Sequence, residues 1–165
     1  MPLAPKPPSE SLVQMSQLLL PGGANSLGAA FGGTVTSWID VAGAIAAQRH
    51  CRQIVVTASM DDLHFHAPIK IGWTVNLKAR VLAAFKSSVE VGVTVHSENP
   101  TTGERALCTS ALLTFVALDA EGRRLEVPPL LLTTPAEQEA FEAARRRRDE
   151  RLSRKGQAHD WMKLL

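Results

Sequence analysis

A chain of 165 residues, 45% of them hydrophobic, is sized for one ordinary domain with a real core. Its net charge of +2 is unevenly spread: residues 145–155 hold Arg145, Arg146, Arg147, Arg148, Arg151, Arg154 and Lys155 against Asp149 and Glu150, and the remainder is net acidic, which excludes a basic nucleic-acid surface on the main body. Cys51 and Cys108 have no metal-ligand spacing, no apolar run reaches membrane-spanning length, and the proline-rich start lacks a signal-peptide core. The expected setting is therefore cytoplasmic, with both thiols buried and unpaired.

In chain order, residues 1–10 read as a disordered or extended lead-in. Leu12–Leu20 predicts a first strand ending at Pro21-Gly22-Gly23. A helix follows from Gly32-Gly33, apolar on nearly every face (Val35, Trp38, Ile39, Val41, Ala42, Ile45, Ala46), so burial is expected. Ile54–Phe65 is a β run whose apolar positions shift parity, from Val56, Ala58 and Met60 to Leu63 and Phe65. That shift predicts a bulge at Asp61-Asp62. Val75–Val81 and Val89–Val95 alternate apolar and polar, as half-buried strands do, and Lys86-Ser87-Ser88 joins them as a hairpin. Ala106–Leu118 is nearly all apolar or small, which suits a strand covered on both faces. Thr134-Pro135-Ala136-Glu137 opens a charged outer helix running to about Arg154. Its basic run is either a solvated face or a phosphate-binding patch.

These elements predict an α+β domain over residues 11–133, with a curved antiparallel five-stranded sheet wrapped round a long central helix. Residues 134–165 add the charged helix and a tail. Two free sheet edges are a liability that pairing of two such sheets would remove, so at least a dimer is expected.

Candidate chemistry concentrates in residues 25–40. Gly32 and Gly33 can open a helix with backbone N–H groups uncovered, an end that favours negative charge. An oxyanion hole needs such donors. Asp40 stands along the same helix, where a carboxylate could be general base or nucleophile; the plain alternative is a partly exposed helix acid. Asn25 adds a neutral polar group, and a turn residue is its ordinary role. His50 reads as a helix-end cation and His66 as a strand-end polar residue rather than as bases. No Gly-x-Ser-x-Gly elbow occurs.

The ordered set Asn25…Gly28…Phe31-Gly32-Gly33…Ile39-Asp40, then Ala44–Cys51, Val56–Asp61, Phe65–Gly72, Lys86–Glu90, Thr114–Asp119 and Val127–Leu130, resembles the hotdog-fold acyl-CoA thioesterases. The similarity is to the cytosolic acyl-CoA hydrolases, bacterial single-domain and brain-type tandem-domain forms, and spans about Leu12 to Arg151. Val41-Ala42 departs from the pattern where an acidic residue often follows the Asp, and Trp73 stands where an Asp commonly follows the turn glycine. The resemblance implies hydrolysis of acyl-coenzyme A to fatty acid and coenzyme A. A carbonyl polarised by Gly32 or Gly33 would be attacked with Asp40 as base or nucleophile, and Asn25 of one subunit would face Asp40 of another. It implies pantetheine along Thr57, Ala58 and Ser59, near Lys86, Ser87 and Ser88, with Lys86 or the arginine run toward the phosphates. It implies no metal and no cofactor beyond coenzyme A within substrate and product. Self-association would be as a hotdog dimer or a trimer of dimers (hexamer), with no nucleic-acid or membrane partner. The alternative is a non-catalytic acyl-CoA-binding or sensing hotdog protein. A hydroxyacyl dehydratase is disfavoured because no His lies between Asn25 and Ala47.

Overall fold

The computed structural model describes residues 3–154. Strands β1 (Val13–Leu18), β3 (Thr74–Ala84), β4 (Ser88–Glu98), β5 (Arg105–Leu118) and β2 (Ile54–Phe65) form one antiparallel sheet in that spatial order. Helix α1 (Gly32–Cys51) lies in its concave face, and α2 (Pro135–Arg154) lies outside. This is the expected hotdog fold. β1 and β2 are the edges.

The alternation in β3 and β4 sends Val75, Leu77, Ala79 and Val81, and Val89, Val91, Val93 and Val95, inward against α1. Small residues on α1 let the sheet close tightly. A Cβ on Gly43 would stand 3.0 Å from the Phe115 ring, and Ala42, Ala46 and Ala47 are fully buried beside it. The helix is not buried all round, however. Val41 is 50% exposed, and Ile54 and Val56 on the β2 edge are 58% and 44% exposed. An apolar stripe this open, beside an unpaired edge strand, is what a second subunit would cover.

β2 carries two bulges where one was expected. Asp62, at φ 49°, makes the bulge between Asp61 and His64; a second leaves Ala58 without a partner between Thr57 and Ser59. The inward set is therefore Val55, Met60 and Leu63, with Thr57 turned to the helix, while Val56 and Ala58 are exposed. The lead-in is pinned and ends in a short 3-10 helix, Pro8–Ser11: Lys6 exchanges backbone bonds with Pro129 and Leu131, and its Nζ donates to the His50 carbonyl at 2.8 Å. α2 starts with a reciprocal cap, Glu137 N–H to Thr134 Oγ1 and Thr134 N–H to Glu137 Oε2, both 3.2 Å. The tail from His159 to Leu165, for which the sequence suggests no role, lies outside the described residues.

Candidate active site

The helix entrance is built from residues 23–31. Asn25 Oδ1 accepts from the Leu27 and Ala29 N–H groups at 2.9 and 3.2 Å, and its N–H donates to the Ala29 carbonyl at 2.7 Å. Gly28, at φ 72°, closes this turn. The Asn25 carbonyl oxygen thus has the ordinary turn role; its Nδ2 donates to no other described residue. Phe31 N–H bonds to the Gly23 carbonyl, which sets the angle at which α1 begins.

Phe31 offers no side-chain cap, and the first backbone bond of α1 runs from Val35 N–H to the Phe31 carbonyl. Among the described residues, the N–H groups of Gly32, Gly33 and Thr34 donate to nothing. Gly33 is open, and the half-exposed Phe65 ring leans over Gly32, 3.4 Å from where a Cβ would be. The result is an uncapped, dipole-positive end beside an apolar wall.

Asp40 is half-buried, and its Oδ1 accepts from Thr57 Oγ1 at 2.7 Å. Thr57, expected along pantetheine, is thus a partner of the candidate carboxylate. The apolar parity of Val56 and Ala58 points the other way, so no sequence signal marks this contact. One bond fixes one oxygen and leaves the other available for proton transfer or attack. Asp40 lies seven residues beyond Gly33, about 10 Å along the helix axis. A carboxylate side chain spans a fraction of that, so one chain does not bring its own Asp40 to a carbonyl held at its own Gly32-Gly33 end.

The other predicted contacts are spread along one region of the sheet. Ala58 and Ser59 sit at the β2 bulge, and Ser59 Oγ donates to Asp61 Oδ2 at 3.0 Å. Ser88 is opposite Val116, which is opposite Val56, so the hairpin lies two strands in at the same level. Lys86 is exposed there; its carbonyl and that of Ser87 accept from Val127 and Ala117. His50 is not a helix-end cation: it is fully buried, burial pushes its pKa down, and Nε2 donates to the Pro128 carbonyl at 2.7 Å. His66 is exposed, 3.2 Å from Ser110 Oγ. Cys51 and Cys108 are buried free thiols, and burial raises the Cys51 pKa to about 11, so it is inert at neutral pH. The arginine run is largely engaged in structure: Arg147 pairs with Glu90, Arg151 with Asp61, and Arg148 stacks on Phe85.

Residues 27–104 match the thioesterase superfamily model. YkhA of Bacillus subtilis, an uncharacterized acyl-CoA thioester hydrolase, is 40% identical over 146 residues, covering 88% of this chain and 85% of that protein. A hexameric acyl-CoA thioesterase solved without ligand superposes with a TM-score of 0.88 at 36% identity, over 94% of this chain and 99% of that one. The acyl-CoA hydrolase of Staphylococcus aureus, solved with butyryl coenzyme A and coenzyme A, gives a TM-score of 0.83 at 35% identity, over 91% and 92% of the two chains. That hydrolase has also been solved with single Asn-to-Ala, Asp-to-Ala and Thr-to-Ala substitutions, spaced along its chain as Asn25, Asp40 and Thr57 are here. Among longer relatives, mouse acyl-coenzyme A thioesterase 11 is 40% identical over 140 residues, and the match spans 23% of its length.

Proposed function

Since the chain belongs to the hotdog-fold acyl-CoA thioesterase family, we propose that it hydrolyses acyl-coenzyme A to a free fatty acid and coenzyme A, with Asp40 as the reacting carboxylate. The observation that carries this reading is Asp40 itself: the one carboxylate on the core helix, oriented by Thr57 and open to the uncovered stripe of Val41, Ile54 and Val56. Among the described residues Asp40 has no cationic partner, and its half-exposed position leaves it accessible to a substrate.

In the proposed reaction the thioester oxygen sits at the Gly32-Gly33 N–H groups, which stabilise the charge that develops on it. Asp40 takes a proton from the attacking water and returns it to the coenzyme A sulfur as the C–S bond breaks, or attacks the carbonyl carbon itself, expelling the coenzyme A thiolate to give a transient anhydride that water opens to the fatty acid and the regenerated carboxylate. The 10 Å axial separation favours a shared site. The helix end, with the donor Nδ2 of Asn25, comes from one subunit and Asp40 from its partner; two equivalent sites follow from two-fold symmetry. Pantetheine runs along Thr57, Ala58 and Ser59 of the β2 edge toward Ser87 and Ser88, with the Lys86 ammonium available to a phosphate. Hexameric relatives support assembly beyond one chain.

The test is a thiol-release assay on acyl-CoAs of increasing chain length. Wild type should turn over at least one of them. Asp40→Ala should abolish turnover while the protein still assembles and binds coenzyme A. Full activity in that variant sinks the mechanism. Coenzyme A binding without turnover by wild type would favour the sensing alternative.

A further inference from the structure

We propose that α2 is a positioning device for the reacting carboxylate, and that Arg151, acting through Asp61 and Ser59, holds the β2 segment from which Thr57 orients Asp40. The proposal rests on the acyl-CoA reading of the site and adds residues to it.

β2 is paired on one side only, and its ladder to β5 is interrupted at Ala58 and again at Asp62. The segment bearing Thr57, Ser59 and Asp61 is thus held on one side only, between two breaks in its ladder. Support comes from outside. Asp61 Oδ2 accepts both Ser59 Oγ at 3.0 Å and Arg151 Nη1 at 3.2 Å. One turn earlier on α2, Arg147 forks onto Glu90 of β4, with Nη2–Oε1 at 2.5 Å and Nε–Oε2 at 3.4 Å. Spaced by four, the two arginines share a helix face. The register puts Glu90 and Ser59 on either side of Thr114, so α2 bridges the outer surface from β4, across β5, to the edge strand. Its anchor is strong, because Glu90 is 1% exposed and its charge is met there. The reach to β2 is the weaker end, since both Arg151 and Asp61 are partly exposed.

A phosphate site on these arginines is the competing use. The depression between β2 and α2, about 620 Å³, is lined by Arg147, Arg151 and Arg154 but equally by Asp61, Asp62 and Glu150. Arg147 and Arg151 are already paired with acids, so the local field does not select an anion. What remains is mechanical. Thr57 is two residues from Ser59 across the unpaired Ala58, and a misplacement of about 1 Å at a catalytic group can cost on the order of a hundredfold in rate.

The experiment combines steady-state thiol release with amide hydrogen exchange on the ligand-free protein, for Arg151→Ala, Arg151→Lys, Asp61→Asn and, as control, Arg145→Ala, whose ion pair stays within α2. Arg151→Ala and Asp61→Asn should each lower kcat about tenfold or more, with a smaller change in KM, and speed exchange at residues 57–61 but not in β3 or β4. Arg151→Lys should recover most of the rate, and Arg145→Ala should match wild type. A raised KM with kcat kept in Arg151→Ala, together with full kcat and a lowered KM in Asp61→Asn, would mean that Arg151 touches the substrate's phosphates, which overturns the proposal. Unchanged exchange at residues 57–61 in both variants overturns it too. If wild type releases no thiol, the acyl-CoA function fails, and the exchange arm still decides whether α2 holds β2.

Discussion

The two helices have the same length, 20 residues, and opposite surroundings. α1 is enclosed by the sheet, and small residues such as Gly43, Ala46 and Ala47 set how closely it packs on Phe115 and Leu113. α2 rides on the outer face, and more than half of its residues are ionisable. The same side chain therefore carries different information in each. A carboxylate in α2 is ordinary solvation, whereas one in the middle of α1 must be balanced by something, and in this chain it is met by a threonine on an edge strand. On α2 it is position over the sheet that separates Arg147, set on a buried acid, from Arg145, which is 61% exposed.

The sharpest way to break this contrast is Asp40→Ala. If α1 is a core helix with one reacting group, turnover should fall by about 10² to 10⁴ or more in the thiol-release assay. The melting temperature should move little, because a half-exposed carboxylate adds little to the core. A stable protein with unchanged rate would make α1 no more than packing.

Second in size is Arg147→Ala, which asks whether α2 is only a solvated helix. Glu90 would be left buried without its partner, at a cost of about 3 kcal/mol in denaturant unfolding. Arg145→Ala should cost less than about 0.5 kcal/mol. Equal small effects would return the whole run to ordinary surface charge.

Both helices, and the clean alternation of β3 and β4, were legible in the sequence because those signals are local. The extent of β2 and its bulge at Asp61-Asp62 are legible too, but its inward face is not. Val56 and Ala58 are apolar but exposed, since that edge faces away from the chain's own core. Thr57 is polar and exposed too, yet its hydroxyl turns to the helix and meets Asp40. Two bulges four residues apart hide the period. His50 was misread for a related reason: its lid is the Pro128 carbonyl, 78 residues away, and no local pattern announces it. The partners of Arg147 and Arg151 lie 57 and 90 residues off. In the site, the residue types at 25, 32, 33 and 40 were legible. What needed the coordinates was that Thr57 touches Asp40 and that the glycine end is about two turns from it.

Asn25→Ala is a smaller test, at the other end of α1. Loss of the two bonds to Oδ1 would loosen the turn that aims the helix, and loss of Nδ2 would remove a donor from the proposed shared site. Activity should fall about tenfold. An unchanged rate would make Asn25 purely a turn residue. Asn25→Asp separates the two roles, because it keeps the accepting oxygens and discards the donor. A rate near wild type in Asn25→Asp together with a slow Asn25→Ala would assign the effect to the turn.

The smallest effect concerns how the two helices end. α2 finishes with Arg151 tied to Asp61 and Arg154 largely in solvent, whereas α1 finishes with His50 sealed under Pro128. Burial is the main cause lowering the His50 pKa from 6.5, with Lys6 nearby acting in the same direction and the Pro128 bond opposing. The unfolded chain takes up this proton near pH 6.5, but the folded chain resists it. Below that pH the unfolded state binds more protons, so the stability His50 contributes is present above 6.5 and is lost as pH falls toward the folded value. Melting curves from pH 7.5 to 5.5 should therefore show a decline in wild type that is shallower in His50→Gln, whose amide can still donate to Pro128. Parallel slopes in the two proteins would mean that the acid sensitivity arises elsewhere and that the buried end of α1 opens to water before it charges.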